Sequence, residues 1–102
     1  MSPAQQQEMN SIEALWKGAA KKGHADAQYN LGVIYNQGQG VDRNHNEAVR
    51  WCRLAAEQGH ADAQCNLGGL YLHGLGVDEN DKEAVRWYRS AAEQGFAQAQ
   101  VN

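Results

Sequence analysis

The sequence has few cysteines, no long apolar run and no excess of basic residues. Its 102 residues include only two cysteines, Cys52 and Cys65, which is too few for the multiple-disulfide framework of a small secreted domain. They are not spaced as CxxC, and no pair of histidines completes a set of zinc ligands. Both cysteines are therefore predicted to be reduced, and a bridge between neighbouring helices is the alternative.

The missing apolar runs and basic clusters exclude two further classes of protein. No apolar stretch approaches the roughly 20 residues that span a bilayer, so membrane insertion is not expected. The start, MSPAQQQEMN, lacks the charged region and apolar stretch of a signal peptide. Nine Lys and Arg stand against twelve Asp and Glu, a net charge of −3. Because binding to phosphates needs clustered basic residues, nucleic acid is not an expected partner.

What the sequence does contain is a repeat. GHADAQYNLG begins at Gly23, GHADAQCNLG begins at Gly59, and GFAQAQVN closes the chain from Gly95. Both intervals are 36 residues (59 − 23 and 95 − 59), and 25 of the 36 positions are identical between 23–58 and 59–94. Self-similarity at a fixed period of this size is typical of a solenoid, in which each unit packs on its neighbours.

Each unit is predicted to form two helices. In the first, over 25–37, apolar residues recur at the spacing of one helix face. Gly38 ends it, because glycine adopts a positive φ at little cost. Asn44 and Glu47, and their counterparts Asn80 and Glu83, predict capping boxes at the starts of second helices over 44–58 and 80–94.

The whole chain then divides into a helix and repeated units. We predict an N-terminal helix over 3–22 that resembles a second helix, full units over 23–58 and 59–94, and the start of a truncated unit over 95–102. The expected fold is all-α, an α-solenoid of 36-residue helix-turn-helix repeats. Gly32 and Gly68 lie inside first helices, where glycine costs about 1 kcal/mol relative to alanine. They are predicted to let a neighbouring helix come close.

These motifs resemble the Sel-one-like repeat (SLR) family, a branch of the tetratricopeptide-like helical repeats. The resemblance covers about residues 11–102. It rests on the Leu-Gly and Tyr of the first helix, the GxGV turn and the aromatic and Ala-Ala positions of the second helix: Leu31, Gly32, Tyr35, Leu67, Gly68, Tyr71, Trp87, Tyr88, Ala91 and Ala92. It implies a right-handed superhelix whose concave face is lined by the first helices. It also implies a bacterial adaptor that binds a protein or peptide.

One branch of that family implies an alternative function. Some cysteine-rich secreted members are linked to β-lactam binding or hydrolysis, and their cysteines would fall near Ala56 and Gln64. Because those residues are not cysteine here, no enzyme activity and no cofactor are predicted. A fragment that is inert alone is the third possibility. The compartment stays open between the bacterial cytoplasm and, if a leader was removed, the periplasm or exterior.

The differences between the two units indicate where a partner could bind. Four of them recur at helical spacing on the side of the first helix opposite its core, an arc of about 100°: Tyr29/Cys65, Val33/Gly69, Asn36/Leu72 and Gln37/His73. We predict that this stripe lines the groove, with Tyr29 as the main anchor. Asp26 and Asp62 at the groove edge would favour a segment that carries Lys or Arg. Drift on a solvent-exposed face is the alternative.

Other candidate sites are better explained by structure. His24 and His60 lie one unit apart, too far for a shared metal ion, and no metal site is predicted. GQGV and GLGV lack the motifs of a phosphate-binding loop. The Arg and Glu residues of the second helices are expected to form a solvated outer face. The helix over 80–94 is expected to leave an apolar edge through which copies of the chain could self-associate.

Overall fold

The computed structural model describes the backbone of residues 2–101 and the side chains of residues 2, 3 and 13–95. All the regular secondary structure in this part of the chain is helical: α1 (Pro3–Lys21), α2 (Ala25–Gln37), α3 (His45–Glu57), α4 (Ala61–His73) and α5 (Asp81–Val101). Each helix packs mainly on the helices before and after it in sequence. The result is an elongated stack of 47 × 33 × 21 Å, which confirms the predicted solenoid.

Glycines turn the chain at the ends of helices. Gly38 and Gly74 adopt φ of 72° and 65°, and their N–H groups donate to the carbonyls of Ile34 and Leu70. Gly59, at the boundary between the two units, has φ of 93°. Such angles strain any residue with a Cβ, so the predicted helix stops are confirmed at these positions.

The N-caps of α3 and α5 form as predicted, but only half of each capping box does. The side chain of Asn44 accepts from the N–H of Glu47 at 3.1 Å. The N–H of Asn44 donates to the carbonyl of Tyr35, and the carboxylate of Glu47 accepts from the indole N–H of Trp51 at 3.1 Å. Glu47 therefore holds a core tryptophan instead of returning to the cap.

The core consists of two clusters joined through α3. The first lies between α1, α2 and α3: Ala20, Ala27, Leu31, Tyr35, Ala48 and Trp51, with Trp16, Ala19 and Val41 at its edge. The second lies between α3, α4 and α5: Val49, Cys52, Ala55, Ala56, Ala63, Leu67, Leu70 and Trp87, with Ala25, Tyr29, Tyr71 and Val77 at its edge. Opposite sides of α3 serve the two clusters, so the repeats share one continuous core.

The glycines inside α2 and α4 mark the closest helix contacts. A Cβ on Gly32 would overlap the Sγ of Cys52 on α3. A Cβ on Gly68 would lie 3.2 Å from the carbonyl oxygen of Ala84 and from the ring of Tyr88 on α5. The prediction that these glycines allow a neighbouring helix to approach is confirmed.

The last helix differs from the prediction. We expected it to end near Gln94 and a new helix to begin after Gly95, but α5 continues to Val101. Gly95 is also absent from the glycines of positive φ. At Gly59 the following helix carries Leu67 and Tyr71, which pack back on the stack. Gly95 therefore lies within a helix, unlike Gly59.

Candidate functional site

Part of the predicted stripe forms an uncovered face on the two first helices. On α2, Asp26 and Gln37 are exposed and Val33 is half-buried between them. On α4, the corresponding residues have the same exposure: Asp62 and His73 are exposed and Gly69 is half-buried. These positions recur at helical spacing on one side of each helix. We call this set of six residues the first-helix face.

Tyr29 is held mainly by the protein itself. Its ring stacks on that of His60 with 4.8 Å between centroids, and it packs at the edge of the second core cluster. Burial, and next the nearby charge of Asp62, raise the pKa of its hydroxyl. Tyr29 therefore helps to join the two repeats, and only part of its ring is open to a partner.

Two polar residues of the prediction also have partners within the chain. Asn36 Oδ1 lies 3.1 Å from His45 Nδ1 at the start of α3. Asp26 Oδ1 accepts from His60 Nε2 at 2.8 Å, although its side chain is 90% exposed. His60 Nδ1 in turn accepts from the N–H of Ala63, which caps α4. His60 thus joins the cap of one repeat to the edge of the other.

Cys65 and Leu72 are more exposed than their counterparts in the first unit. Their counterparts Tyr29 and Asn36 face the contacts just described, whereas Cys65 is exposed and Leu72 is 39% exposed. On α5, Tyr88 is also 39% exposed.

One pair of differences between the units fits the packing of the first helix against the second helix. A Cβ on Gly69 would lie 3.3 Å from the hydroxyl oxygen of Tyr88. The first unit has the larger Val33 at the position of Gly69 and the smaller Cys52 at the position of Tyr88. The smaller residue on the first helix thus accompanies the larger one on the second. Packing against the second helix therefore contributes to this pair of differences.

The sequence reading missed a pair of buried glutamines. Gln28 Nε2 donates to the carbonyl of Ala20, and its Oε1 accepts from Gln58 Nε2 at 2.7 Å. Gln64 repeats this arrangement with the carbonyl of Ala56 and with Gln94. The available signal was the recurrence of AxAQ and AEQG. Both motifs are identical in the two units, so the differences between the units do not reveal them.

The charged outer face is solvated only in part. Arg50 and Arg86 pair with Glu47 and Glu83 one turn away and lie exposed. Arg53 is half-buried, and its guanidinium donates to the hydroxyl of Tyr71 on α4. An open cavity of about 490 Å³ lies over α3, lined by Asn46, Val49, Arg50, Arg53, Leu54 and Glu57.

The histidines and cysteines of the sequence serve as helix caps or are free thiols in the described structure. His24 and His60 are the N-cap residues of α2 and α4. Among the described residues, no three His, Cys, Asp or Glu side chains are grouped to hold a metal ion. Cys52 is a buried free thiol and Cys65 an exposed one. None of the described helices is both long enough and apolar enough to cross a bilayer.

Comparison with known proteins places this geometry in a family. The family model of the Sel1 repeat matches residues 25–60 and 61–96. A crystal structure of c5321, a protective antigen of uropathogenic Escherichia coli with an SLR fold, is 47% identical with a TM-score of 0.80 over 81% of this chain. A Sel1 repeat protein from Oxalobacter formigenes is 36% identical with a TM-score of 0.79 over 80% of this chain.

The chain spans only part of either structure, 18% of c5321 and 63% of the Oxalobacter protein. No curated protein matches significantly. Proteins built from these repeats are generally interaction scaffolds. With two matched repeats and a solenoid of the same shape, this chain belongs to the Sel1 repeat family.

Proposed function

We propose that this chain is a scaffold that binds a segment of a partner protein along the first-helix face. The observation that carries the proposal is that this face is uncovered on both α2 and α4 and has the same order of groups on each. An exposed carboxylate, a half-buried small or apolar residue and an exposed polar side chain follow one another: Asp26, Val33 and Gln37, then Asp62, Gly69 and His73.

The dimensions of this face suit an extended segment. From Asp26 to Gln37 the helix rises about 16 Å, at 1.5 Å per residue. An extended peptide covers that length with about five residues, at 3.3 Å each. Gln37 and His73 can then supply hydrogen bonds that fix its register. Val33 and Gly69 contact its apolar side chains.

The charge of the face favours a basic segment. Asp26 and Asp62 stand at equivalent positions of successive repeats, and both are exposed. The chain as a whole carries a net charge of −3. Charges placed in this way select a partner and raise its association rate more than they raise affinity.

The other predicted residues take lesser roles in this proposal. Tyr29 and Asn36 contact the partner only through the parts of their side chains that His60 and His45 leave exposed. Cys65 and Leu72 lengthen the surface towards α5. Two repeats offer limited contact area, so we expect weak binding, on the order of micromolar.

The test is a selection of displayed peptides on the immobilised chain, followed by two matched variants. Asp62→Lys reverses a charge on the first-helix face, and Asp78→Lys makes the same change in an exposed loop of the same repeat. We expect the selected peptides to carry Lys or Arg and to bind Asp62→Lys about tenfold more weakly, with Asp78→Lys unchanged. Equal effects of the two variants would place binding elsewhere.

A further inference from the structure

His60 lies at the joint between the two units, and its ring contacts the first helix of each. It is the N-cap residue of α4, where its Nδ1 lies 3.2 Å from the backbone N of Ala63. On the other side, its Nε2 lies 2.8 Å from Asp26 Oδ1 on α2. The ring stacks on that of Tyr29, with 4.8 Å between centroids and an angle of 23° between the planes. Only 15% of the side chain is exposed, so both nitrogens and one face of the imidazole are used within the protein.

The two hydrogen bonds fit one tautomer of the neutral ring. The N–H of Ala63 can only donate, so Nδ1 accepts and carries no proton. An ionised carboxylate can only accept, so the ring proton is on Nε2 and points at Asp26. The neutral imidazole therefore caps α4 and holds Asp26 at the same time.

A second proton on the ring would keep one of these contacts and break the other. It would occupy Nδ1 and face the N–H of Ala63, and two donors cannot form a hydrogen bond. Helix α4 would then lose its side-chain cap. The contact with Asp26 would become a charge-assisted ion pair, and the stacked ring of Tyr29 would attract the cation. Histidine is the side chain whose charge changes between about pH 5 and 8, so mildly acidic pH is the range in which this exchange of contacts is expected.

The charged groups around the ring are acidic. The titratable groups beside the stacked rings lie on three helices: Asp26 and Tyr29 on α2, Cys52 on α3, and Asp62 and Cys65 on α4. Glu57 is exposed at the end of α3, three residues before His60. Neither α2 nor α4 contains lysine or arginine. A proton on His60 therefore places a positive charge among carboxylates, in direct contact with Asp26.

The corresponding histidine of the first unit is placed differently. His24 is the N-cap residue of α2, but it is exposed and its side chain makes no capping hydrogen bond. Asp26 precedes His60 by 34 residues (60 − 26), whereas the residue 34 positions after Asp62 is Phe96 (62 + 34). Of the two aspartates on the first-helix face, only Asp26 is therefore followed by a histidine at this spacing. His24 provides a matched control for His60.

We propose that His60 is a pH-sensitive switch at the joint between the two repeats. As the pH falls, its protonation breaks the cap of α4 and neutralises the charge of Asp26 on the first-helix face. At neutral pH this face presents two carboxylates to a basic segment, and in mild acid one of them is occupied by the imidazolium, so the segment is bound more weakly. This effect on binding rests on the proposed function, whereas the switch itself does not.

The switch is tested on the free full chain by a nuclear magnetic resonance titration from about pH 8 to about pH 5. We expect the backbone amide signal of Ala63 to shift with the same midpoint as the ring protons of His60, as the amide loses its acceptor. His60→Asn keeps a good N-cap residue that does not titrate, so the Ala63 signal should stay constant. His24→Asn should leave the Ala63 titration as in the parent chain. An Ala63 signal that does not follow the His60 ring, or that titrates equally in His60→Asn, would overturn the proposal.

The effect on binding is measured with a histidine-free peptide rich in Lys or Arg, taken from the displayed peptides selected above. His73 also lies on the first-helix face, and its titration is common to the parent chain and both variants. We expect His60 to contribute about a threefold loss of affinity between pH 8 and 5.5, the size of one exposed ion pair. His24→Asn should keep this loss and His60→Asn should not. Equal losses in the two variants would overturn the link to binding. If no basic peptide is selected, the proposed function fails, and the titration of Ala63 still decides the switch.

Discussion

Gln58 donates a hydrogen bond from its side-chain amide to the side-chain oxygen of Gln28, 30 residues earlier, at 2.7 Å. Gln28 is buried and donates its own amide to Ala20 at the end of α1. One glutamine thus joins three successive helices. A buried amide is tolerated because both its oxygen and its nitrogen are paired.

Replacement of Gln28 by alanine should therefore destabilise the stack. It removes two hydrogen bonds and leaves the carbonyl of Ala20 without its amide partner, a cost of about 2 kcal/mol. Gln37→Ala, at an exposed position of the same helix, should change stability by less than about 0.5 kcal/mol. Urea unfolding followed by circular dichroism measures both. Similar midpoints for the two variants would show that the buried glutamine contributes nothing specific.

Gly32→Ala should also destabilise, although alanine is the better helix former by about 1 kcal/mol. The new Cβ would overlap the Sγ of the buried Cys52, while its next neighbours, the carbonyl oxygen of Ala48 and the N of Cys52, lie at 3.4 Å. Overpacking of this kind costs about 1–3 kcal/mol.

The double variant Gly32→Ala with Cys52→Ala should recover part of that loss, because it removes the sulfur. The two single variants and the double variant form a cycle whose interaction energy is measured by thermal unfolding. Purely additive effects would mean that the helices separate instead of clashing.

Stability should fall with rising pH above about 9 because of Cys52. Burial raises the pKa of its thiol from 9.0 to about 12. Below the unfolded pKa both states keep the proton, so the contribution is fully present. Above it the unfolded chain ionises first and unfolding becomes more favourable, by up to about 1.4 kcal/mol per pH unit. Urea unfolding at pH 7.5, 9 and 10 should show a smaller decline for Cys52→Ala than for the parent chain. Identical declines would refute the assignment to this thiol.

The two thiols should differ in reactivity under native conditions. Cys65 is exposed, whereas Cys52 is buried and carries a raised pKa, and only an accessible thiolate reacts. A thiol reagent should therefore modify one cysteine per chain at neutral pH and a second only after unfolding. Cys65→Ser should abolish the fast reaction. A rapid reaction of Cys52 in the folded protein would contradict its burial.

Arg53 and Arg89 occupy equivalent positions and should respond differently to alanine. Arg53 is half-buried, donates to the Tyr71 hydroxyl and lies 5.7 Å from the centre of its ring. We expect Arg53→Ala to cost about 1 kcal/mol. Arg89 is exposed, and Arg89→Ala should cost less than about 0.5 kcal/mol. Thermal unfolding of the matched pair checks this.

The sequence by itself determined the helices, their turns and their stacking. The 36-residue period, the Asn caps and the glycines of positive φ act through local backbone geometry, which depends on neighbouring residues in the chain. Only the end of α5 departed from expectation, because Gly95 permits a turn but does not impose one. A turn there requires a following helix that packs back, which is a tertiary interaction.

Only the tertiary structure decided what the varying positions do. Periodicity places Tyr29 and Asn36 on one side of α2, and Gly69 on the same side of α4. It cannot show that His60 and His45 lie beside the first two, or that Tyr88 lies beside Gly69. Those contacts join residues 9 to 31 positions apart, and a difference between repeats looks the same whether it fits a partner or a neighbouring helix. The burial of Gln28 and Gln64 is not predictable from the sequence for the same physical reason. A polar residue on a helix is expected in solvent until packing shows that both ends of its amide are satisfied inside the protein.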